Sequence, residues 1–298
     1  MIAYSYLVFE EVSRQGSFIK AATALHMTPS AISHSISSLE EEWGFPVFMR
    51  ERTGVRLTPE GVKMLRLVRE LLEKEELITE EVAHFKGLTK GKITIGTFSS
   101  VCVRWIPELI REFKEEYPNI EVMVMQGDYQ DVLEWVKSGQ AEIGFETLPA
   151  EDRSLEEIPI CTDPIYLVAP MDFRTLHSGY ATAEDIQDRN LILQRSGYST
   201  DTLSFIRKHK LKTRTRFYVD DDQAIISLVR QGLGICLMPG LIFEENELRD
   251  VRLIPLYPEE HRTIGLITRK KQQKSPVLMT MQDFIMDYAE EKGWKNIQ

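Results

Sequence analysis

The spacing of apolar residues changes near residues 87–91, and this change limits the possible folds more than any other feature. Before it, apolar residues recur at helical spacing; after it, short apolar runs alternate with helical patterns. Such alternation is typical of parallel sheets with helices on their faces. At 298 residues the chain is also too long for one ordinary core. We therefore expect a helical N-terminal domain followed by an α/β region of two lobes with a ligand cleft between them.

Composition and cysteine usage restrict the class of protein. The chain is 43% apolar and 28% charged, which is globular composition. No window approaches the roughly 20 apolar residues of a membrane helix, and the start lacks the features of a secretory signal. The three cysteines, Cys102, Cys161 and Cys236, lie far apart, which excludes a disulfide framework and a CxxC-type zinc site. We expect a cytoplasmic protein without membrane contact, metal or cofactor.

The charge distribution is uneven. A net charge of −10 argues at first against a nucleic-acid partner. Residues 43–69, however, carry six Lys or Arg against only Glu51 and Glu60, which makes a small basic patch in an acidic chain. Because acidic bulk repels DNA, binding through so few cations needs specific contacts and more than one subunit.

A pair of helices joined by a tight turn is the clearest local pattern. Thr28 has the chemistry of an N-cap, Pro29 suits the first helical position, and Gly44 ends the helix. Three apolar residues at helical spacing predict its inner face: Ile32, Ile36 and Leu39. Two such helices, the second amphipathic, form the helix-turn-helix pattern. The extended pieces Val47–Arg50 and Val55–Leu57 then predict a hairpin, the "wing" of winged-helix DNA binders.

A long helix is predicted from Thr58-Pro59-Glu60 to about Lys86. It carries an apolar stripe of coiled-coil type, interrupted at Glu75: Met64, Val68, Leu71, Ile78, Val82 and Phe85. The stripe could be a subunit interface or could pack on its own domain. Charged residues on the other faces favour a dimer contact.

Residues 9–61 resemble the amino-terminal signature of the LysR-type transcriptional regulators. The matching residues at fixed spacing are Phe9, Val12, Gly16-Ser17-Phe18, Ala21-Ala22, Leu25, Ala31-Ile32-Ser33, Ile36, Leu39-Glu40, Gly44, Val47-Phe48, Arg50, Leu57-Thr58 and Gly61. The resemblance extends in length and organisation over the whole chain, but it is specific only in the first 65 residues or so. Many members have Ser-Gln-Pro where this chain has Thr28-Pro29-Ser30, so no operator sequence carries over.

The resemblance implies an organisation and a function. Residues 1–58 correspond to a winged helix-turn-helix domain, 59–87 to a dimerising linker helix, and 88–298 to a regulatory domain that is similar to periplasmic binding proteins. The two α/β lobes of this domain are expected at about 88–162 plus 266–298, and at about 163–265. The implied function is that of a sequence-specific regulator of transcription, a homodimer or homotetramer, controlled by a small-molecule effector between the lobes.

Candidate DNA contacts follow from the helix-turn-helix pattern. A helix in the major groove offers small polar side chains, His and Arg to base edges and phosphates. We place five residues of the second helix on that face, Pro29, Ser30, Ser33, His34 and Ser37, and we expect Thr28 and the helix N-terminus near a phosphate. Arg50 and Arg52 of the wing are expected at the DNA backbone or the minor groove. Each serine alone could equally be ordinary solvated surface, whereas the set favours DNA.

Candidate effector contacts lie in loops at strand ends, where α/β lobes bind ligands. The family resemblance points to Ser99, Ser100, Thr147, Ser196 and Thr200. Arg195 could pair with a carboxylate ligand or be an ordinary surface arginine. Thr200 could instead be a helix cap. The run Asp220–Asp222 is most simply an N-cap; facing the cleft, it would favour a cationic group. The charge of the effector therefore stays open, with a small organic acid or amino acid derivative among the candidates.

Two other classes of protein compete with the regulator. A solute-binding receptor shares the two lobes, but the missing signal peptide and the first 90 residues count against it. An enzyme is disfavoured because the sequence has no P-loop, GxGxxG, HExxH or GxSxG motif, so no catalytic residue is assigned. Cys102 could have a lowered pKa as a redox sensor, or be a small buried hydrophobe.

Overall fold

The computed structural model describes residues 4–51, 54–85, 90–150, 152–194, 200–243, 250–270 and 274–294. Contacts divide the chain into two compact units, residues 1–91 and 92–298. No helix among the described residues is long and apolar enough to cross a membrane.

The first unit is mostly helical. Its elements are α1 (Tyr4–Gln15), α2 (Phe18–Ala24), α3 (Pro29–Trp43), the hairpin β1 (Phe48–Glu51) and β2 (Gly54–Leu57), and α4 (Pro59–Phe85). The caps explain where α3 begins and ends: the Thr28 hydroxyl accepts a hydrogen bond from the Ala31 N–H, and Gly44 has the left-handed conformation. A single core fixes these elements around Phe9, Ile32 and Leu39, all of which are essentially inaccessible to solvent.

The second unit alternates strands and helices. Its strands are β3 (Gly91–Thr97), β4 (Ile120–Gln126), β5 (Ile143–Leu148), β6 (Leu155–Pro170), β7 (Asn190–Leu193), β8 (Arg214–Tyr218), β9 (Cys236–Pro239), β10 (Val251–Pro255) and β11 (His261–Arg269). Its helices are α5 (Ser99–Arg104), α6 (Ile106–Glu116), α7 (Tyr129–Ser138), α8 (Ala183–Ile186), α9 (Thr200–Lys208), α10 (Asp222–Arg230) and α11 (Pro276–Glu291), with a 3-10 turn at Gly240–Ile242.

The sheets differ from the all-parallel arrangement that the alternation predicts. The main sheet has the order β10-β6-β11-β5-β3-β4, with β9 also paired to β6. β3 is parallel to β5, but β11 is antiparallel to both β5 and β6. The sheet is therefore mixed, because the chain returns at β11 to a position between two strands that formed much earlier.

Separate cores define the two lobes of this unit. The first lobe packs α5, α6 and α11 against β3, β5 and β11; the second packs α9 and α10 against β6, β7 and β9. β6 continues through both cores, and the chain returns to the first lobe just before β11. At this double crossing, Asp163 of β6 lies directly opposite Arg262 of β11. These two residues therefore occupy the hinge between the lobes.

Candidate DNA-binding surface and effector cleft

Helix α3 has two distinct faces. Ile32, Ile36 and Leu39 are buried in the core of the first unit. The residues predicted to face DNA lie on the other side: Thr28, Pro29, Ser30, His34 and Ser37 are exposed, and Ser33 is half-buried. The helix therefore presents a surface of small polar side chains, which can approach a major groove without steric conflict.

Groups of α3 and α4 contact the wing backbone and fix its position. A Glu40 carboxylate oxygen accepts hydrogen bonds from the Val47 and Phe48 N–H groups, at 2.7 and 3.2 Å. The Gly61 N–H donates to the Thr58 hydroxyl, and a Cβ at Gly61 would lie 2.2 Å from the Val47 carbonyl oxygen. These contacts hold the hairpin at one position relative to α3. No pattern in the sequence predicts them.

The predicted wing arginines cannot be placed. Arg50 lies in β1 opposite Val55, but its side chain is outside the described part of the structure. Arg52 itself lies outside the described residues. Arg69, which the sequence includes in the basic patch, is buried and pairs with Glu10 at 3.4 Å. It therefore does not contribute to a basic surface.

The stripe on α4 divides into two parts. Val68 is only 3% exposed, and Met64 is half-buried against the same core. Val68 packs within its own unit, so its assignment to a subunit interface is wrong, whereas the assignment of the half-buried Met64 stays a prediction. Val68 is buried because the first half of α4 packs against α1 and strand β2 of the wing. The remaining stripe residues are exposed: Leu71, Ile78, Val82 and Phe85.

The effector cleft opens between the lobes of the second unit. Ser99 and Ser100, at the start of α5, line a cavity together with Tyr129, Asp222 and Arg262. Its volume is about 30 Å³, which holds about two water molecules. A second cavity of about 450 Å³ shares Tyr129 with the first and contains Thr147, a size in the range of ligand pockets. Both predicted serines and Thr147 therefore face the same interlobe region.

A buried ion pair forms the floor of the small cavity. Arg262 is 3% exposed and Asp163 is inaccessible to solvent. The Arg262 guanidinium lies 2.7 Å from the Asp163 carboxylate and donates to the Tyr129 and Ser100 hydroxyl oxygens at 2.7 and 2.9 Å. The second Asp163 oxygen accepts the Leu241 N–H at 3.0 Å. Buried charges need such complete pairing.

Asp222 brings a second carboxylate to the cleft. Asp221, not Asp222, is the N-cap of α10, since its side chain accepts the Ala224 N–H. Burial raises the pKa of the Asp222 carboxyl, although hydrogen bonds from Ser99 and Gln194 and the charge of Arg262 act to lower it. The distance from Gln194 Nε2 to Asp222 Oδ1 is 2.6 Å. The aspartate run therefore supplies a helix cap and a cleft-facing carboxylate, each from a different residue.

The remaining predicted effector residues are Thr147, Arg195, Ser196 and Thr200. Thr147 is half-buried, and among the described residues its hydroxyl oxygen has no hydrogen-bond partner. Arg195 and Ser196 lie outside the described residues, and the Thr200 side chain is likewise outside them, although α9 begins there. Sequence analysis missed Arg262, Asp163 and Tyr129, because no local pattern links residues so distant in the chain.

The cysteines do not form a reactive site. Burial raises the pKa of Cys102, contrary to the lowered value that a helix N-terminus suggested. Burial also raises the pKa of Cys161 to about 12, and Cys161 and Cys236 are both buried. Within the described ranges, no group of three or more His, Cys, Asp or Glu residues could hold a metal ion.

Comparison with known proteins connects both units to one family. Residues 5–62 match the family described as "Bacterial regulatory helix-turn-helix protein, lysR family", and residues 86–290 match "LysR substrate binding domain". The chain is 32% identical over 270 residues to the HTH-type transcriptional regulator YvbU of Bacillus subtilis, covering 90% of this chain and 92% of that protein.

Solved structures show the same fold. A full-length OxyR variant from Pseudomonas aeruginosa matches with a TM-score of 0.74 at 19% identity, over 97% of this chain and 95% of that chain. Full-length CbnR complexed with its target DNA matches with a TM-score of 0.54 at 20% identity, over 97% and 100%. Both sequence-based domain matches and the relative that spans nine-tenths of the chain agree with the two units, and the chain therefore belongs to the LysR family of DNA-binding, effector-controlled transcriptional regulators.

Proposed function

We propose that the exposed face of α3 reads the operator in the major groove. The contacts are those predicted from the sequence: Thr28, Pro29, Ser30, Ser33, His34 and Ser37, with Arg50 and Arg52 of the wing at the backbone or minor groove. The observation that carries this proposal is the division of α3 into a buried apolar face and an exposed polar one. Thr28 caps its own helix through Ala31, so its contact with DNA is made by the helix end rather than by a free hydroxyl.

The working form is a homo-oligomer that assembles through the second half of α4. Leu71, Ile78, Val82 and Phe85 are 44% or more exposed, and large apolar side chains are costly to leave in water. The functional division is 1–58 for DNA binding, 59–87 for dimerisation and 88–298 for effector binding. The lobes of the last part are about 88–162 plus 266–298, and about 163–265.

The effector binds between the lobes, at Ser99, Ser100 and Thr147 from the first lobe and at Arg195, Ser196 and Thr200 from the second. The small cavity holds only about two water molecules. A ligand that enters between Ser99 and Asp222 must therefore move the lobes apart. It acts by binding one arrangement of the oligomer better than another, which changes the affinity or geometry of DNA binding. The protein works in the cytoplasm and does not turn its effector over.

The experiment is binding of the purified chain to labelled DNA from upstream of its own gene, with random DNA as competitor. A specific complex whose affinity falls steeply with salt, with a stoichiometry in multiples of two, supports the proposal. The variants Ser33→Ala and Arg52→Ala should lose specific binding while the oligomer stays folded. Lys114→Ala, an exposed cation of the second unit, is the matched control. Unchanged operator affinity in both variants would contradict the assignment of these contacts.

A further inference from the structure

Several neighbouring groups hold the Arg262 side chain in place. Its Nε lies 2.8 Å from Asp163, its Nη1 2.7 Å from the Tyr129 oxygen and its Nη2 2.9 Å from the Ser100 oxygen. The guanidinium carbon also lies 5.0 Å from the centre of the Phe98 ring. Asp163 neutralises the charge, so the bonds to the two hydroxyl groups are additional. The guanidinium therefore fixes side chains at the starts of α5 and α7.

These bonds determine what Ser100 can do. A guanidinium only donates hydrogen bonds, so the Ser100 oxygen must accept from Arg262. The hydroxyl proton then points to another acceptor, and none of the described residues accepts it at hydrogen-bond distance. Ser100 is 5% exposed and lines the small cavity. Its proton is therefore available to a ligand, and burial makes leaving it unused costly.

The two nearby carboxylates accept hydrogen bonds from other groups. The Asp222 carboxylate is bonded to Ser99 and to Gln194. The Asp163 carboxylate is occupied by Arg262 and the Leu241 N–H. Neither the Asp222 nor the Asp163 carboxylate accepts the Ser100 proton at hydrogen-bond distance, so the Ser100 hydroxyl keeps its donor function for an incoming molecule.

We propose that Arg262 is a positioning residue of the effector site, which holds Ser100 as a hydrogen-bond donor and so selects effectors that present an acceptor oxygen, as a carboxylate or amide does. This inference rests on the proposed interlobe binding of the effector. Arg262 itself does not touch the ligand. It links the ligand-facing serine to Asp163 at the hinge, and Asp163 accepts the N–H of Leu241 in the 3-10 turn that follows β9, so occupation of the cleft is felt at the hinge.

The test uses the full-length protein and unbranched probes of two to six carbons, each chain length as the carboxylate, the amide and the amine; succinate, succinamide and 1,4-diaminobutane are the four-carbon set. Binding is measured by calorimetry and by the rise in Tm. We expect carboxylates or amides to bind and the amines, which only donate, not to bind. Ser100→Ala and Arg262→Lys should each weaken the best probe about three- to tenfold, the effect of one lost hydrogen bond. Ser100→Thr should restore binding.

A double variant separates positioning from general stability. If Arg262 acts through Ser100, the Ser100→Ala/Arg262→Lys protein binds no more weakly than the weaker single variant. Two independent structural defects would add instead. Ser227→Ala, whose hydroxyl bonds to Gln223 of its own helix, and Arg69→Lys, a buried arginine of the first unit, are matched controls and should keep full affinity.

Several outcomes would overturn the inference: wild-type affinity in Ser100→Ala, additive losses in the double variant, binding of amines only, or no binding by any probe. Should Arg262→Lys fail to fold, Ser100→Ala and Ser100→Thr still decide the donor role. Operator binding without probe, measured on the same preparations, reports separately on the proposed function. If the wild-type protein does not bind the operator, DNA recognition is refuted. If it binds the operator but binds no probe, only the inference about the effector is refuted.

Discussion

Gly61 provides a direct test of how the wing is attached. This residue lies in the first turn of α4, where replacement of Gly by Ala ordinarily stabilises a helix by about 1 kcal/mol. Here the new Cβ would lie 2.2 Å from the Val47 carbonyl oxygen, at least 0.8 Å inside the 3.0 Å limit of real contacts. The position of the Cβ is fixed by the backbone and the oxygen is a backbone atom, so no bond rotation can relieve the contact. We therefore expect Gly61→Ala to destabilise the first unit.

The size of the effect follows from two opposing contributions. Overpacking in a well-packed region costs about 1–3 kcal/mol, and a clash between two backbone segments lies at the upper end of that range. Subtraction of the gain in helix propensity leaves a net loss of about 2 kcal/mol. That loss corresponds to roughly 30-fold faster exchange of amide hydrogens that open with this region.

Hydrogen exchange followed by mass spectrometry is the appropriate assay, because it reports on each unit separately. Peptides from residues 45–65 should exchange faster in Gly61→Ala, while peptides of residues 92–298 should not change. Operator affinity should fall as the wing loses its fixed position. Val62→Ala, at the next and exposed position, should shift stability by no more than about 0.5 kcal/mol. A higher Tm and slower exchange in Gly61→Ala would refute the reasoning.

Three further predictions concern other elements. Val68→Ala should lower the free energy of unfolding by about 2 kcal/mol without affecting dimer dissociation, whereas Ile78→Ala should weaken the dimer and leave monomer stability nearly unchanged. Urea unfolding measures the stability and analytical ultracentrifugation the dimer dissociation. The reverse result would restore Val68 to the interface. Glu40→Ala leaves the Val47 and Phe48 N–H groups without their acceptor, so wing peptides should exchange faster while α3 stays protected, and unchanged exchange would contradict this anchor. Asp222 has a folded-state pKa above the ordinary 3.8, so its contribution to stability is present below that value and is lost as pH rises through the raised pKa. The Tm of Asp222→Asn relative to wild type should therefore increase with pH above about 4. A Tm difference independent of pH would argue against the burial of this carboxylate.

Local signals were sufficient for the elements of the first unit. Thr28 and Gly44 bound α3 as expected, since caps depend on a few neighbouring residues. The stripe on α4 was harder, because residues at helical spacing look alike whether they face their own core or a partner. Val68 and Ile78 share the pattern, and only the fold separates the buried residue from the exposed one.

Features that depend on contacts between residues far apart in the chain were not predicted. The sequence pattern predicts a strand only over Ile165–Ala169, whereas β6 begins at Leu155, because Pro159 and Pro164 interrupt the strand pattern. The pairing of β6 with β11 shifts register between Ile264 and Gly265, next to Pro159. Ser99 and Ser100 were predicted as effector contacts from the family resemblance and from a strand end that leads into a helix, and both line the small cavity. Arg262 was not predicted, since its partners lie 99, 133 and 162 residues away in the chain.

The position of β11 between β5 and β6 also governs the order in which the protein can form during synthesis. β5 is complete at residue 148 and β6 at residue 170, but the strand that joins them ends at Arg269. While the second lobe is being made, the edges of β5 and β6 that later receive β11 remain unpaired, and unpaired strand edges favour association with other chains. A nascent chain that stops before residue 261 therefore has a helix-turn-helix unit able to fold but a first lobe that cannot close. Such fragments should therefore be less soluble than the full chain.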